Sequence, residues 1–429
     1  MKIYNNPARK DWPKILARPT LESTSLEEKV SGILKDIKTF GDVAVKRFTA
    51  QFDQVELDNP RVREAEIEQA IAQVPEDLKQ AIRQAKSNIE AFHLSQKESP
   101  KVVETMSGVK CWRKSVAIDK VGLYIPGGTA PLFSTILMLG VPAKIAGCQE
   151  IVLCTPPSNN GSVNPAILFT AHLVGVTKIF KIGGVQAVGA MAYGTETVPK
   201  VYKIFGPGNQ YVTAAKQVVQ RDGLAIDMPA GPSEVMVVAD GSANPAFVAA
   251  DLLSQAEHGV DSSVVLVATN ESVVKDIQKE LAKQLDALPR KEFAAKALDN
   301  SCTIINDNVF DVVDIINEYA PEHLILSMES AAGVANDITN AGSVFIGHYS
   351  PESVGDYASG TNHTLPTNGF AKAYSGVSLD SFCKKITFQE LSKEGLQNIG
   401  KTVELMAEAE ELIAHARAVS IRLAALKDA

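Results

Sequence analysis

Val121-Gly122-Leu123-Tyr124-Ile125-Pro126-Gly127-Gly128 opens with an apolar run too short for a helix and closes in a turn-forming triplet. It reads as a short buried strand, and a helix is expected to follow over Thr135 to Gly147. The unit then recurs. Glu150 to Cys154 predicts a strand and Pro165 to Val174 a helix; Lys178 to Ile182 and Gln186 to Tyr193 form the third pair. Lys203 to Phe205 and Tyr211 to Gln220 form the fourth. Strands alternating with helices, joined by Gly- and Pro-rich turns, predict a parallel sheet covered on both faces.

Working outward, a second α/β run follows. Its strands are expected at Val235 to Val238, Val264 to Ala268, Thr303 to Ile305, Leu324 to Leu326 and Ser343 to Ile346. Helices are expected at Pro245 to Glu257, Glu271 to Leu285 and Asp311 to Glu318. Upstream, Leu26 to Phe48 and Glu64 to Phe92 read as charged amphipathic helices. Downstream, residues 385–429 are rich in Ala, Glu and Leu and read as a helical tail belonging to no sheet.

The 429 residues suffice for two or three cores. A hydrophobic content of 45% with mean hydropathy of +0.01 suits a soluble globular chain. The net charge of −8 argues against a broad nucleic-acid-binding face, which needs clustered Lys and Arg. No stretch has the length or apolarity of a signal peptide or membrane span. Cys111, Cys148, Cys154, Cys302 and Cys383 are scattered without a CxxC pair, so neither a disulfide framework nor a thiolate metal site is expected. A reducing cytoplasm is the expected home.

Chemistry concentrates in the C-terminal half. Five of the seven histidines lie in or beside short polar motifs: Ser254-Gln255-Ala256-Glu257-His258-Gly259, Pro321-Glu322-His323-Leu324, Gly355-Asp356-Tyr357 through Asn362-His363, and Ala414-His415-Ala416, with His348 just upstream of the third. Imidazole with carboxylate and no thiolate suits zinc and neighbouring divalent ions. Gln255 and His258, three apart on a helix, share a face. The adjacent Glu322-His323 pair at a strand entrance could share proton transfer, since an imidazole titrates near neutrality. A solvated helix end, a surface loop at 350–363 and a helix start at Glu322 are the bland alternatives for these same residues. Sites in parallel α/β sheets gather beyond the carboxyl ends of strands, and Pro126-Gly127-Gly128, Gly183-Gly184, Gly206-Pro207-Gly208-Asn209 and Pro229 to Glu234 are expected there. The full GxGxxG fingerprint is absent. A zinc hydrolase and a metal- or ligand-binding module remain open on these residues alone.

Taken in order, the motifs resemble histidinol dehydrogenases along essentially the whole chain: Gly122 to Gly128, Gly206 to Asn209, Pro229 to Glu234, Ser254 to Gly259, Pro321 to Leu324, Gly355 to His363 and Ala414 to Ala416. The resemblance implies two Rossmann-like lobes with mainly parallel sheets in an aldehyde-dehydrogenase-like arrangement, with an N-terminal helical segment and a C-terminal helical tail. It implies NAD-linked oxidation of L-histidinol to L-histidine through L-histidinaldehyde, the last steps of histidine biosynthesis. It further implies one zinc ion held by Gln255, His258, Asp356 and His415, and Glu322 with His323 as the acid/base pair. Ser233, His323 and Glu410 would contact substrate beside the zinc ligands; Tyr124, Gln186 and Asn209 would contact NAD. No role follows for His363. The expected organisation is an N-terminal arm at 1–23, a first lobe of 24–120 with 236–380 carrying the metal and acid/base residues, a second lobe of 121–235 with the NAD turns, and a tail at 381–429. In this family the tail forms a homodimer and reaches the neighbouring site.

Overall fold

The computed structural model describes residues 1–18, 24–127, 131–229 and 231–427. Gly128 and Ala230 of the expected turns lie outside them. The chain divides into two compact units, one of residues 1–95 with 118–382 and one of 96–117 with 383–429.

The first unit holds two parallel sheets. One orders its strands Lys178–Lys181, Glu150–Thr155, Lys120–Tyr124, Lys203–Phe205 and Ala225–Ile226. The other runs Lys2–Asn5, Cys302–Ile305, Ser263–Ala268, Glu234–Ala239, His323–Ser327 and Ser343–Ile346. Because successive side chains point to opposite faces, a strand covered by helices on both sides must be apolar throughout. Glu234–Ala239 shows this: Val235 and Val237 enter one core, Met236 and Val238 the other. In the first sheet Ile151 and Leu153 face one core, Val152 and Cys154 the opposite one. Cys154 is thereby a fully buried core residue.

The expected strands and helices of both runs are present, with ends shifted by a residue or two. Four local differences have clear causes. The helix read as Glu64 to Phe92 is two, Glu64–Gln73 and Glu76–Leu94, because Pro75 donates no N–H and biases Val74 toward extended backbone. Residues 1–23 are more than an arm, since Lys2–Asn5 forms an edge strand on Cys302–Ile305. The helices over 24–94, expected in one lobe with 236–380, pack on the helices of the 120–226 sheet. Gly189 explains part of this: a Cβ there would stand 2.8 Å from Ile37 Cδ1, so the missing side chain lets Thr24–Phe52 sit close on Gly184–Tyr193. The loop read at 350–363 contains the short helix Glu352–Tyr357, and Gly355 faces the Phe345 ring where a Cβ would come within 2.5 Å.

The second unit corrects the tail. Cys383–Leu391 is a strand, paired antiparallel with Val109–Ala117, which pairs in turn with Val103–Met106. Its Ile-Thr-Phe centre favours extended backbone, and Phe388 stacks on Trp112 at 5.5 Å across the ladder. Helices Lys393–Ala409 and Ile413–Lys427 follow and pack on one another where Gly400 meets Leu423, a Cβ on Gly400 standing 2.7 Å from Leu423 Cδ1. No helix of the described residues is long and apolar enough to cross a membrane.

Candidate functional site

Two strands of the larger sheet begin with the residues that organise the candidate site. Glu234 and His323 are register neighbours to within one residue, His323 lying opposite Val235. The backbone N–H of Glu234 donates to Glu322 Oε2 at 2.9 Å, and its carbonyl lies 3.3 Å from His323 Nδ1. A carbonyl only accepts, so Nδ1 carries the proton and Nε2 is the basic nitrogen. That nitrogen is buried without a hydrogen-bond partner and lies 3.4 Å from Asp356 Oδ1. Glu322 Oε2 and Glu352 Oε1 each stand 3.7 Å from Nδ1. Phe345 covers one face of the ring.

Gln255, fully buried in the last turn of Pro245–Ala256, completes the cluster. With its amide turned to suit its neighbours, the nitrogen donates to Glu352 Oε1 at 2.6 Å and the oxygen accepts from the Glu234 N–H at 3.0 Å. Burial sets the charges. It pushes Glu322 up to about 8 and raises Glu352 as well. Burial also works against a charged imidazole at His323, yet Glu352, Glu322 and Asp356 together outweigh it and raise the ring's pKa. Asp356 moves the other way: burial opposes its charge, but His323, His363 and His258 hold it below its ordinary range.

His258 sits on the exposed turn after Gln255's helix, within electrostatic reach of Asp356 and His323. Ser233 is half-buried just ahead of Glu234, its carbonyl accepting from the Ser263 N–H. His363, for which the motifs suggested no role, ties elements together. Its Nδ1 donates to the Asp356 carbonyl at 2.8 Å, and Nε2 is 3.1 Å from Thr135 Oγ1. Glu410 and His415 belong to the second unit, Glu410 capping Lys393–Ala409 and His415 exposed in the first turn of Ile413–Lys427.

Among the described residues, one group of His and acidic side chains brings its donor atoms within 4.8 Å of one another: His323, Glu352 and Asp356. It shares only Asp356 with the ligand set implied by resemblance. A divalent cation fits this neighbourhood on chemical grounds. The donors are nitrogen and oxygen, Glu352 Oε2 and His323 Nε2 are buried and unpartnered, and three carboxylates crowd together. Glu352 carried no signal in the sequence because its role depends on the short helix that the loop-like composition concealed.

These residues gather at the amino ends of their strands, contrary to the expected carboxyl ends. The Pro229 to Glu234 turn enters the sheet here, and Asp356 follows a chain that has doubled back from Ile346. The other sheet obeys the rule. Beyond the carboxyl ends of Lys120–Tyr124, Glu150–Thr155, Lys178–Lys181 and Lys203–Phe205 opens a cavity of about 1230 Å³. Tyr124, Gln186 and Asn209 all line it, with Asp53, Thr155 and Gly127. Tyr124 Oη accepts from the Gly184 N–H at 3.1 Å, and burial pushes its pKa up to about 12. Gln186 donates to Asp53 Oδ2 at 3.0 Å, leaving its own Oε1 buried and unpartnered; Thr155 Oγ1 is unpartnered too. Such atoms call for a polar ligand. Asn209 caps Gln210–Arg221. Asp53, at the end of a long amphipathic helix, had no motif to reveal it.

The Gly206 turn of this cavity is held from below. Gly206 donates to Asp227 Oδ2 at 2.8 Å and accepts from Lys216 Nζ at 2.9 Å, while Lys216 and Asp227 pair with each other. Both side chains are buried, so Lys216→Met would strand a carboxylate. We expect a loss of roughly 3 kcal/mol in denaturant unfolding, with much of it restored in the Lys216→Met/Asp227→Asn double variant. An unchanged midpoint for the single variant would show the pair to be idle.

Comparison with known proteins agrees on one family. The histidinol dehydrogenase family profile matches residues 16–423. Histidinol dehydrogenase of Bacteroides thetaiotaomicron is 60% identical over 427 residues, covering 100% of both chains. The chloroplastic enzyme of Arabidopsis thaliana is 53% identical over 95% of this chain and 88% of its own. The crystal structure of histidinol dehydrogenase from Elizabethkingia anophelis superimposes with a TM-score of 0.98 at 56% identity, covering 100% of this chain and 99% of that one. With the profile spanning nearly every residue and such relatives matching end to end, this chain belongs to the histidinol dehydrogenase family.

Proposed function

We propose that this chain carries out the NAD-linked, four-electron oxidation of L-histidinol to L-histidine through L-histidinaldehyde, with one zinc ion per subunit. The observation that carries the reading is the buried His323 ring. Its Nδ1–H is committed to the Glu234 carbonyl and its Nε2 is left open beside Asp356, next to a backbone-anchored Glu322. The zinc ligands we assign are Gln255, His258, Asp356 and His415. A zinc ion held there would supply a fixed positive charge for the substrate's amine and imidazole and would disfavour the imidazolium form of His323. Tyr124, Gln186 and Asn209, which line the cavity of the smaller sheet, would hold NAD, and it would supply the hydride acceptor.

His323 Nε2 takes the alcohol proton in the first oxidation. Glu322, whose raised pKa lets it hold or release a proton near neutrality, stands 3.7 Å from the ring's other nitrogen, Nδ1, and Nε2 gives up its proton to solvent before the second oxidation. Hydration of the aldehyde presents a second O–H, and the same nitrogen acts again. Ser233 and Glu410 position the substrate. For the second step no thiol is needed. Cys154 and Cys302 are buried, and desolvation raises both thiols well above the range of a reactive thiolate. Replacing all five cysteines is therefore expected to leave both oxidations running; selective loss of the second, in a folded protein, would refute this.

We assign the active form as a homodimer. The second unit leaves Leu405, Met406, Ile413 and Ile421 more than half exposed, apolar surface that suits a partner. The decisive assay is NADH absorbance with histidinol and NAD. Two NADH per histidinol, abolished by a chelator and restored by zinc, is the expected result; a single NADH, or indifference to the chelator, would overturn the proposal.

A further inference from the structure

We infer that Arg18 is a positioning residue for proton transfer, a brace that fixes both backbones from which Glu322 and His323 are presented. The inference rests on the role proposed above for that pair. Glu234 connects the two groups. Its N–H anchors the Glu322 carboxylate and its carbonyl fixes the His323 tautomer, so a shift of this one residue's backbone would misdirect both groups. Its side chain points away and is gripped. Arg18 Nε meets Glu234 Oε2 at 2.5 Å and an Arg18 Nη meets Oε1 at 2.8 Å, a bidentate fork on a carboxylate only 2% exposed. Tyr319 Oη donates to the same carboxylate at 3.2 Å.

Arg18 also holds the second backbone. It donates to the Tyr319 carbonyl at 2.8 Å, and its guanidinium lies over the Tyr319 ring at 3.9 Å. Three residues on from Tyr319 stands Glu322, reached through Ala320, whose φ of 53° is left-handed and strained for a residue with a Cβ. Such a turn persists only where its surroundings dictate it. One guanidinium thus links the Glu234 strand to the segment entering the His323 strand, without touching either reacting group. Arginine suits this task where lysine would not, because its planar fork serves the carboxylate and the carbonyl together.

The test uses the full-length, zinc-loaded enzyme and its Arg18→Ala, Arg18→Lys and Tyr319→Phe variants. In Arg18→Ala, kcat for histidinol-dependent NADH formation should fall roughly 10- to 100-fold, the scale of an ångström-sized misplacement. The KM for NAD should stay at its wild-type value, and the fall in kcat should exceed any change in zinc content or in KM for histidinol. Guanidinium chloride, far below unfolding concentrations, should restore part of kcat saturably where sodium chloride does not. Arg18→Lys should remain impaired, and Tyr319→Phe should show a smaller loss of the same kind. Should Arg18→Ala fail to fold, the kcat and KM of the other two variants decide the matter. Unchanged kcat, or a loss of kcat that tracks zinc loss and resists guanidinium, would overturn the brace. A wild-type chain inactive on histidinol would instead overturn the substrate reading.

Discussion

Replacing His323 by alanine is expected to slow histidinol-dependent NADH formation by about 10²- to 10⁴-fold, the usual contribution of a positioned base. The ring is 3% exposed, its Nδ1 is occupied by the Glu234 carbonyl, and its Nε2 is the unpartnered basic nitrogen of the cluster. Glu322 and Glu352 stand on the Nδ1 side of the ring, each 3.7 Å from that nitrogen, and are held there by the Glu234 N–H and the Gln255 amide. Because alanine also leaves a cavity against Phe345, His323→Gln provides a better-filled comparison and should be as slow. Steady-state rates together with thermal unfolding would check both. A loss below tenfold in a folded, zinc-loaded variant would remove His323 from the proton path.

His415→Ala should be nearly as damaging, through the metal. Three of the four assigned ligands belong to the first unit; the fourth is an exposed imidazole in the second. Even partners outside a coordination shell cost about 10- to 100-fold in metal affinity when removed, so loss of a ligand should cost at least that. Zinc content after dialysis and turnover should fall together. If the tail serves the neighbouring subunit, mixing inactive His323→Ala and His415→Ala chains should restore activity, since one hybrid site then holds both wild-type residues. Exchange of subunits without recovery would place the tail in its own subunit.

Much of this molecule was legible in its residues. The Val-, Ile- and Leu-rich runs at 121–125, 151–153 and 235–238 are written for strands buried on both faces, and each is one. The cavity residues Tyr124, Gln186 and Asn209 lie where Gly-rich turns end strands. What stayed hidden depends on partners remote in sequence. Cys383–Leu391 reads as part of a helical tail until Val109–Ala117 supplies its ladder. Glu352 becomes a site residue because Gly355 lets a short helix press on Phe345. Arg18 is one of many arginines until Glu234, 216 positions away, receives it. Local pattern encodes elements; the meeting of distant side chains is a property of the tertiary fold.

The second unit also bears on how the chain is made. Val109–Ala117 emerges early in synthesis, but its neighbour Cys383–Leu391 follows more than 260 residues later. Until then the hairpin's open edge, with Trp112 beside it, waits without the strand that will cover it, an invitation to sticky encounters between nascent chains. The strand Cys383–Leu391 therefore closes this ladder late in time, and a truncated product lacking it would be prone to aggregate however well the parallel sheets had formed.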